Sequence, residues 1–179
     1  MIQKKIALIG TSCVGKTSVA NEMKKIFGEE RILEEGAREY FERFKPNERF
    51  TLEHQKEIQD FVISKEKRLL TQDILICDRS IICPIIYTRA NGDKKGSEFL
   101  YQRVIDWIRT YKKLFLLDPH EVPYQKDSVR NEALSFRMKV HDEYVTFLRE
   151  KDIQYTLIKG SLKNRVSQIE KIVSSYARE

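Results

Sequence analysis

The sequence contains no apolar run that approaches the roughly 18 residues of a membrane-spanning helix. Its first apolar run, Ile6 to Ile9, is also far too short for the core of a secretory signal peptide. Cysteine is scarce: Cys13, Cys77 and Cys83 are the three in the chain, and none are in C-x-x-C spacing. This argues against a disulfide framework and against a cysteine zinc site. We therefore expect a cytoplasmic protein with reduced thiols and no membrane partner.

The sequence also lacks internal repeats, low-complexity tracts and linker-like stretches of proline and glycine. Hydrophobic residues make up 41% of the 179 residues and charged residues 34%, which predicts a single domain, 1–179, with a substantial core. The net charge of +6 suits anionic ligands, but lysine-rich helix surfaces give the same figure, and we favour that interpretation. No basic motif with interleaved aromatic residues is present, so we expect no nucleic-acid partner.

Short β-rich segments alternate with longer helical patterns along the chain. The five predicted strands are 4–9, 31–33, 73–77, 113–118 and 153–158. The predicted helices are 16–27, a segment through Arg38 and Phe41, 51–72, 84–89, 97–111, 134–151 and 162–176. This alternation predicts right-handed crossovers and a five-stranded, mostly parallel sheet with helices on both faces.

The most specific motif is "GTSCVGKT", Gly10 to Thr17, which matches G-x-x-x-x-G-K-[ST] between an apolar strand and a helix. In such a loop, backbone N–H groups and the positive end of the helix dipole surround phosphate oxygens. Lys16 is expected to reach the β- and γ-phosphates, and Thr17 to bind Mg²⁺. The sequence therefore predicts a site for ATP with Mg²⁺. Its expected nucleotide contacts are Gly10, Thr11, Ser12, Cys13, Val14, Gly15, Lys16, Thr17 and Ser18.

Two residues after the third strand extend this site. Asp78 follows an entirely apolar segment, where a second Mg²⁺ ligand is expected, although an aspartate there can instead cap the next helix. Arg79 comes directly after it. An arginine beside the reaction centre can hold an acceptor phosphate or the group in transfer, which predicts a catalytic and acceptor-binding role.

Candidate acceptor contacts follow the second strand and lie on two helices. Glu34 and Glu35 stand at the carboxyl end of that strand, where Glu35 could accept a hydroxyl proton and Arg38 could hold the acceptor. The alternative is a solvated helix start with Glu35 facing the helix dipole. Further candidates are Gln55, Gln59 and Tyr87, although helix surfaces often carry such residues.

The segment after the fourth strand supplies Arg130 and Arg137. On a lid that folds over the triphosphate, such arginines would stabilise transition-state charge and exclude water. The alternative is an ordinary basic surface loop. We predict that both arginines contact ATP and that Arg130 is catalytic.

The motifs "GTSCVGKT", "EGAREY", "CDRS" and "PYQKDSVR" occur in an order that resembles the AAA-domain family of small P-loop ATP-binding proteins. The chain is similar to the ribosylnicotinamide kinase domains of that family, and to thymidylate and deoxynucleoside kinases. The resemblance implies a P-loop NTPase three-layer sandwich with an arginine-bearing lid. It also implies that ATP lies on residues 10–17, that Glu35 handles the acceptor hydroxyl, and that Arg130 is the lid arginine.

We therefore predict ATP- and Mg²⁺-dependent phosphoryl transfer to a small metabolite of the nucleoside or nucleotide class. The alternative is an ATP-hydrolysing regulatory NTPase, or switch, without a small-molecule acceptor. A switch needs a residue that positions water and commonly an arginine supplied by a partner, whereas this chain carries its own arginines. The expected partners are ATP and the acceptor, and homodimer formation is left open.

Overall fold

The structure is a computed structural model that describes residues 4–44, 51–69, 73–122 and 134–176. Within these ranges the strands are β1 (Lys4–Ile9), β2 (Ile32–Leu33), β3 (Ile74–Asp78), β4 (Tyr111–Leu117) and β5 (Thr156–Ile158). The helices are α1 (Lys16–Phe27), α2 (Gly36–Phe44), α3 (Leu52–Arg68), α4 (Ile82–Ala90), α5 (Lys94–Ile108), α6 (Leu134–Glu150) and α7 (Leu162–Tyr176). A short 3-10 turn, Glu29–Arg31, precedes β2.

The five strands form one parallel sheet in the order β2-β3-β1-β4-β5. β1 is central, and its Leu8 pairs with Asp78 of β3 on one side and with Phe115 of β4 on the other. The chain leaves β1 between these two neighbours, so a crevice opens at the carboxyl ends of the strands, where ligands of such sheets bind. The predicted fold class is thereby confirmed.

Both faces of the sheet are covered. Alternate residues of β1 belong to different cores: Ala7 and Ile9 pack towards α3–α6, whereas Ile6 and Leu8 pack towards α1 and α7. All four are fully buried. A strand buried on both faces needs apolar residues at every position, which is why β1 is a continuous apolar run.

Several element boundaries differ from the predicted ones. α5 begins at Lys94, and not at 97, because the Asp93 side chain caps the helix by accepting a hydrogen bond from the Gly96 N–H at 2.8 Å. Tyr111 begins β4, although the apolar periodicity of the preceding segment predicted it as the last residue of a helix over 97–111. Pro84 lies inside α4, in the first turn, where a missing N–H costs no helical hydrogen bond.

A buried polar cluster lies between α3, β1, β4 and α5. Glu66 of α3 has no exposed surface and accepts hydrogen bonds from Lys5 at 2.6 Å and from the Trp107 indole at 2.6 Å. The Tyr111 hydroxyl donates to its other oxygen. Burial lowers the pKa of Lys5, although the Glu66 carboxylate favours the charged form. The carboxylate is therefore well satisfied, and it ties the helix to two strands.

None of the described helices combines the length and the apolar composition needed to span a bilayer.

Candidate active site

The phosphate loop connects β1 to α1 and takes a conformation that its glycines permit. Gly10 has φ of 137°, and a Cβ there would lie 3.1 Å from the Leu117 carbonyl oxygen. Gly15, which precedes the first residue of α1, has φ of 87°. Both angles lie in a region that residues with a Cβ rarely adopt. The loop is thus shaped by backbone geometry, as a phosphate cradle requires.

Lys16 is more enclosed than the sequence suggested. Its side chain is 4% exposed, and its ammonium group donates to the carbonyl oxygens of Gly10, at 3.0 Å, and Thr11. The Lys16 ammonium group is therefore folded back onto the phosphate loop, close to where the loop would surround phosphates. It does not project into an open cleft.

Thr17 and Asp78 meet at the carboxyl ends of the central strands. The Thr17 hydroxyl donates to Oδ2 of Asp78 at 2.7 Å. Oδ1 of Asp78 is buried and has no hydrogen-bond partner among the described residues. An unsatisfied buried carboxylate oxygen beside a hydroxyl suits a hard cation such as Mg²⁺, which prefers oxygen ligands. These two residues therefore fit the metal role predicted for them.

Glu35 and Arg79 form a buried ion pair. Oε1 of Glu35 lies 2.7 Å from Nε of Arg79, and both side chains are 8% exposed. Burial opposes the charge of Arg79, but the Glu35 carboxylate favours it, and the pKa of Arg79 is raised well above its ordinary value. Arg79 has φ of 85°, a strained backbone that is common at functional sites. Its guanidinium carbon lies 6.0 Å from the ring centre of Tyr87. The structure thus brings together three residues predicted as acceptor contacts.

An acidic cleft opens beside Thr17, Asp78 and Glu35. Its cavity volume is about 380 Å³. The lining residues are Thr17, Ala20, Asn21, Lys24, Ile32, Glu34, Glu35, Glu39, Glu42 and Asp78. Five of these ten carry carboxylates and one carries an ammonium group, which forms an ion pair with Glu34. We refer to the cleft that these ten residues line as the acidic cleft. Sequence reasoning missed Glu39 and Glu42, although their i, i+3 spacing on α2 places them on one face.

The remaining residues predicted as acceptor contacts lie in different environments. Gln55 lies on α3 and is buried. Gln59 is a structural residue, contrary to its prediction as an acceptor contact: its amide donates to the Ile81 and Leu100 carbonyls, at 3.4 and 3.2 Å. It thereby holds α3 against α4 and α5. Arg38 lies on α2, but its side chain is outside the described part of the structure.

The two predicted lid arginines also differ. Arg130 lies outside the described residues, so its role stays a prediction. Arg137 lies on α6, within the helix predicted over 134–151, and is 2% exposed, so it belongs neither to an exposed lid nor to a basic surface loop. Its guanidinium donates to the carbonyls of Ser12, at 3.3 Å, and Cys13, at 3.4 Å. Arg137 therefore supports the phosphate loop from behind, and its contact with ATP remains untested.

Arg165 of α7 makes a similar contact, which no motif or spacing in the sequence indicates. It donates to the Val14 carbonyl at 2.8 Å and to the Asp118 carbonyl at 2.8 Å. Hydrogen bonds from a charged donor are stronger than neutral ones. Arg137 and Arg165 together donate hydrogen bonds to three consecutive carbonyls on the outer side of the phosphate loop, those of Ser12, Cys13 and Val14.

Comparison with known proteins is consistent with this geometry. The AAA-domain family model matches residues 5–165. Two structures of NadR protein, one in complex with NAD and AMP-PNP and one in complex with NR, each give a TM-score of 0.77 at 16% and 17% identity. The alignments cover 99% and 98% of this chain but 50% of each NadR chain, so the chain spans about half the length of these relatives.

Two kinases align over nearly their whole length. Deoxyadenosine kinase from M. mycoides with bound dATP gives a TM-score of 0.66 at 18% identity, covering 95% of this chain and 99% of that one. Thymidylate kinase from Ehrlichia chaffeensis gives 0.61 at 18% identity, covering 96% and 98%. No curated protein matches the chain. At these identities the structural likeness establishes the P-loop kinase fold and leaves the substrate open.

Proposed function

Because the chain belongs to the AAA-domain family, we propose that it is a kinase that transfers the γ-phosphoryl group of ATP to a hydroxyl group of a nucleoside-type metabolite. The observation that carries this proposal is the buried Glu35–Arg79 ion pair. Both side chains line the region next to Thr17 and Asp78, on the side of the phosphate loop where an acceptor would enter.

The proposed reaction uses the chain's own groups in distinct ways. The phosphate loop and Lys16 bind the triphosphate. Thr17 and Asp78 would hold Mg²⁺, which would supply positive charge to the phosphate oxygens. Glu35 accepts the hydrogen bond, and then the proton, of the attacking hydroxyl. Arg79 stays protonated throughout, as guanidinium groups in proteins do, and stabilises the negative charge on the group in transfer. Arg130 is proposed to contribute a second cation.

The acidic cleft bears on the class of acceptor. Its lining holds five carboxylates and one lysine. Glu34, Glu35 and Glu39 each have a cationic partner, in Lys24, Arg79 and Lys65, so the excess of negative charge is small. This excess still favours an uncharged or cationic acceptor over one that already carries a phosphate group. We therefore propose a nucleoside, and not a nucleoside monophosphate, as the acceptor.

The test is an assay of ATP consumption with Mg²⁺ against a panel of nucleosides, nicotinamide riboside and the matching monophosphates, followed by mass analysis of the acceptors. The expected result is ATP consumption that depends on one nucleoside, which gains the mass of one phosphoryl group. Each matching monophosphate is expected to be a much poorer acceptor.

The alternative, a regulatory NTPase, predicts a different result. ATP hydrolysis would then proceed at a steady rate that no acceptor changes, and Glu35→Gln would leave that rate as in the wild type. That pair of outcomes would replace the kinase with the switch. A clear preference for a monophosphate would instead keep the kinase and overturn the acceptor class.

A further inference from the structure

A second group of ligating side chains lies on the other side of the phosphate loop. Asp118 follows β4, His120 comes two residues later, and His141 lies on α6. One potential ligand atom from each of the three lies within 4.8 Å of the others. We call these residues the β4–α6 cluster. The cluster is distinct from the buried polar cluster around Glu66 and from the candidate active site with Asp78 and Glu35. The proposed phosphoryl transfer does not use it.

Part of the cluster is explained by ordinary turn chemistry. Oδ1 of Asp118 accepts hydrogen bonds from the His120 backbone N–H at 2.9 Å and lies 2.6 Å from Nδ1 of the His120 ring. Such contacts are typical of an aspartate that closes a turn. Asp118 and His120 would therefore make these contacts even without a bound ligand.

His141 is not explained in this way. Its side chain is 5% exposed, and its Nδ1 is buried without a hydrogen-bond partner among the described residues. Its ring packs edge-on against that of His120, with ring centres 5.6 Å apart. A buried ring nitrogen without a partner is costly, and such groups in native proteins commonly face an ion or a water. His141 therefore brings to the cluster a buried imidazole whose Nδ1 has no partner among the described residues, and one of its ring nitrogens lies within 4.8 Å of ligand atoms of His120 and Asp118.

We propose that the β4–α6 cluster is a binding site for a divalent transition metal of the Zn²⁺ type. Two imidazoles and one carboxylate form a ligand set that suits Zn²⁺, Fe²⁺ or Ni²⁺, whereas Mg²⁺ and Ca²⁺ prefer oxygen ligands throughout. Three protein ligands leave a fourth coordination position for water or another small ligand.

The cluster needs only a small rearrangement to bind such an ion. Ligand atoms about 2.0–2.1 Å from a tetrahedral metal lie roughly 3.3 Å apart, so the Asp118–His120 contact of 2.6 Å would lengthen. The His120 side chain is 61% exposed and can rotate. The Lys159 ammonium, 3.5 Å from Oδ2 of Asp118, is 59% exposed and can move into solvent.

The proposed site is separate from the predicted Mg²⁺ site. Asp78 ends β3 and Asp118 follows β4, with β1 between these strands. Because neighbouring strands lie about 4.8 Å apart, roughly 10 Å separates the two strand ends. The two sites can therefore be occupied independently and have different metal preferences.

The experiment measures Zn²⁺ binding to the full chain after it is stripped with a chelator, without nucleotide and with Mg²⁺ in large excess. Competition with a zinc-sensitive dye gives the affinity and the stoichiometry. We expect one site, and we expect His120→Ala and His141→Gln to weaken it by at least about 100-fold, since each removes a direct ligand. His54→Ala removes the chain's third histidine, on α3, and is the matched control that keeps wild-type affinity.

Replacing Zn²⁺ with Co²⁺ tests the ligand set directly. We expect the Co²⁺-loaded wild type and His54→Ala to show visible absorption bands that excess Mg²⁺ does not abolish. We expect no such bands for His120→Ala and His141→Gln. Because His120 is exposed, its variant is expected to fold, which far-UV circular dichroism checks. No zinc binding by the folded wild type overturns the proposal. Zinc affinity that is unchanged in His120→Ala and His141→Gln also overturns it, since the ion would then lie elsewhere.

Discussion

The buried Glu35–Arg79 ion pair leads us to predict how its removal changes both the folding stability and the kinase activity of the protein. At 2.7 Å and an effective dielectric constant of about 20, the attraction between the two charges is about 6 kcal/mol before desolvation is subtracted. Glu35→Gln removes the anion and leaves a charged guanidinium at a site that is 8% exposed. Breaking one partner of such a pair commonly costs about 3–5 kcal/mol.

That loss is measurable by thermal unfolding without nucleotide. For a protein of this size, 1 kcal/mol shifts the melting temperature by about 2–4 °C, so Glu35→Gln is expected to lower it by roughly 6–20 °C. The double variant Glu35→Gln/Arg79→Gln removes both charges and is expected to recover most of the loss. Glutamine at position 79 keeps the same backbone strain as arginine, so the comparison isolates charge. Asp106→Asn, in an exposed ion pair with Arg109, is the control and is expected to leave the melting temperature unchanged.

Activity then separates structure from chemistry. If Glu35 and Arg79 take part in transfer, the double variant folds well but transfers no phosphoryl group to the acceptor that the panel identifies. A double variant that is stable and fully active would refute the catalytic roles of both residues. A wild-type melting temperature for Glu35→Gln alone would refute the energetic importance of the buried pair.

The other predictions concern single sites. Lys16→Ala is expected to lower turnover at least about 100-fold, by the scale of such electrostatic groups, and retention of full ATP affinity and turnover would contradict the phosphate-loop assignment. Asp78→Asn keeps the shape of the side chain but not its charge, so its loss of activity should be partly relieved by more Mg²⁺. Metal titration curves like those of the wild type would leave Asp78 only as the hydrogen-bond partner of Thr17. Arg130→Ala is expected to lower kcat far more than it raises KM for ATP, and a change in KM alone would assign it to ground-state binding. Glu66→Gln leaves the Lys5 cation without its carboxylate and is expected to cost about 3–5 kcal/mol in urea unfolding. The double variant Lys5→Met/Glu66→Gln removes the buried cation and keeps an oxygen acceptor beside Trp107 and Tyr111, so it is expected to recover part of the loss. Equal stability of the single variant and the wild type would contradict the account of this cluster.

The sequence by itself determined the phosphate loop and the class of fold. "GTSCVGKT" needs only a strand before it and a helix after it, and both are set by local periodicity. β1, α1 and α7 keep the bounds predicted for them, because each is a clear pattern closed by turn residues. Asp78 could likewise be placed, since an apolar run in a parallel sheet ends at the edge where the phosphate loop lies.

Tertiary structure decided which side chains meet. Glu35 and Arg79 follow different strands, and no local pattern states that their charges are buried against each other. Arg137 was expected on a lid over the triphosphate, but α6 places its guanidinium behind the phosphate loop, where it satisfies the carbonyls of Ser12 and Cys13. Asp118 and His141 are brought together only when β4 and α6 pack. These contacts join residues far apart in the chain, and their energy depends on distance, burial and direction, which sequence spacing does not encode.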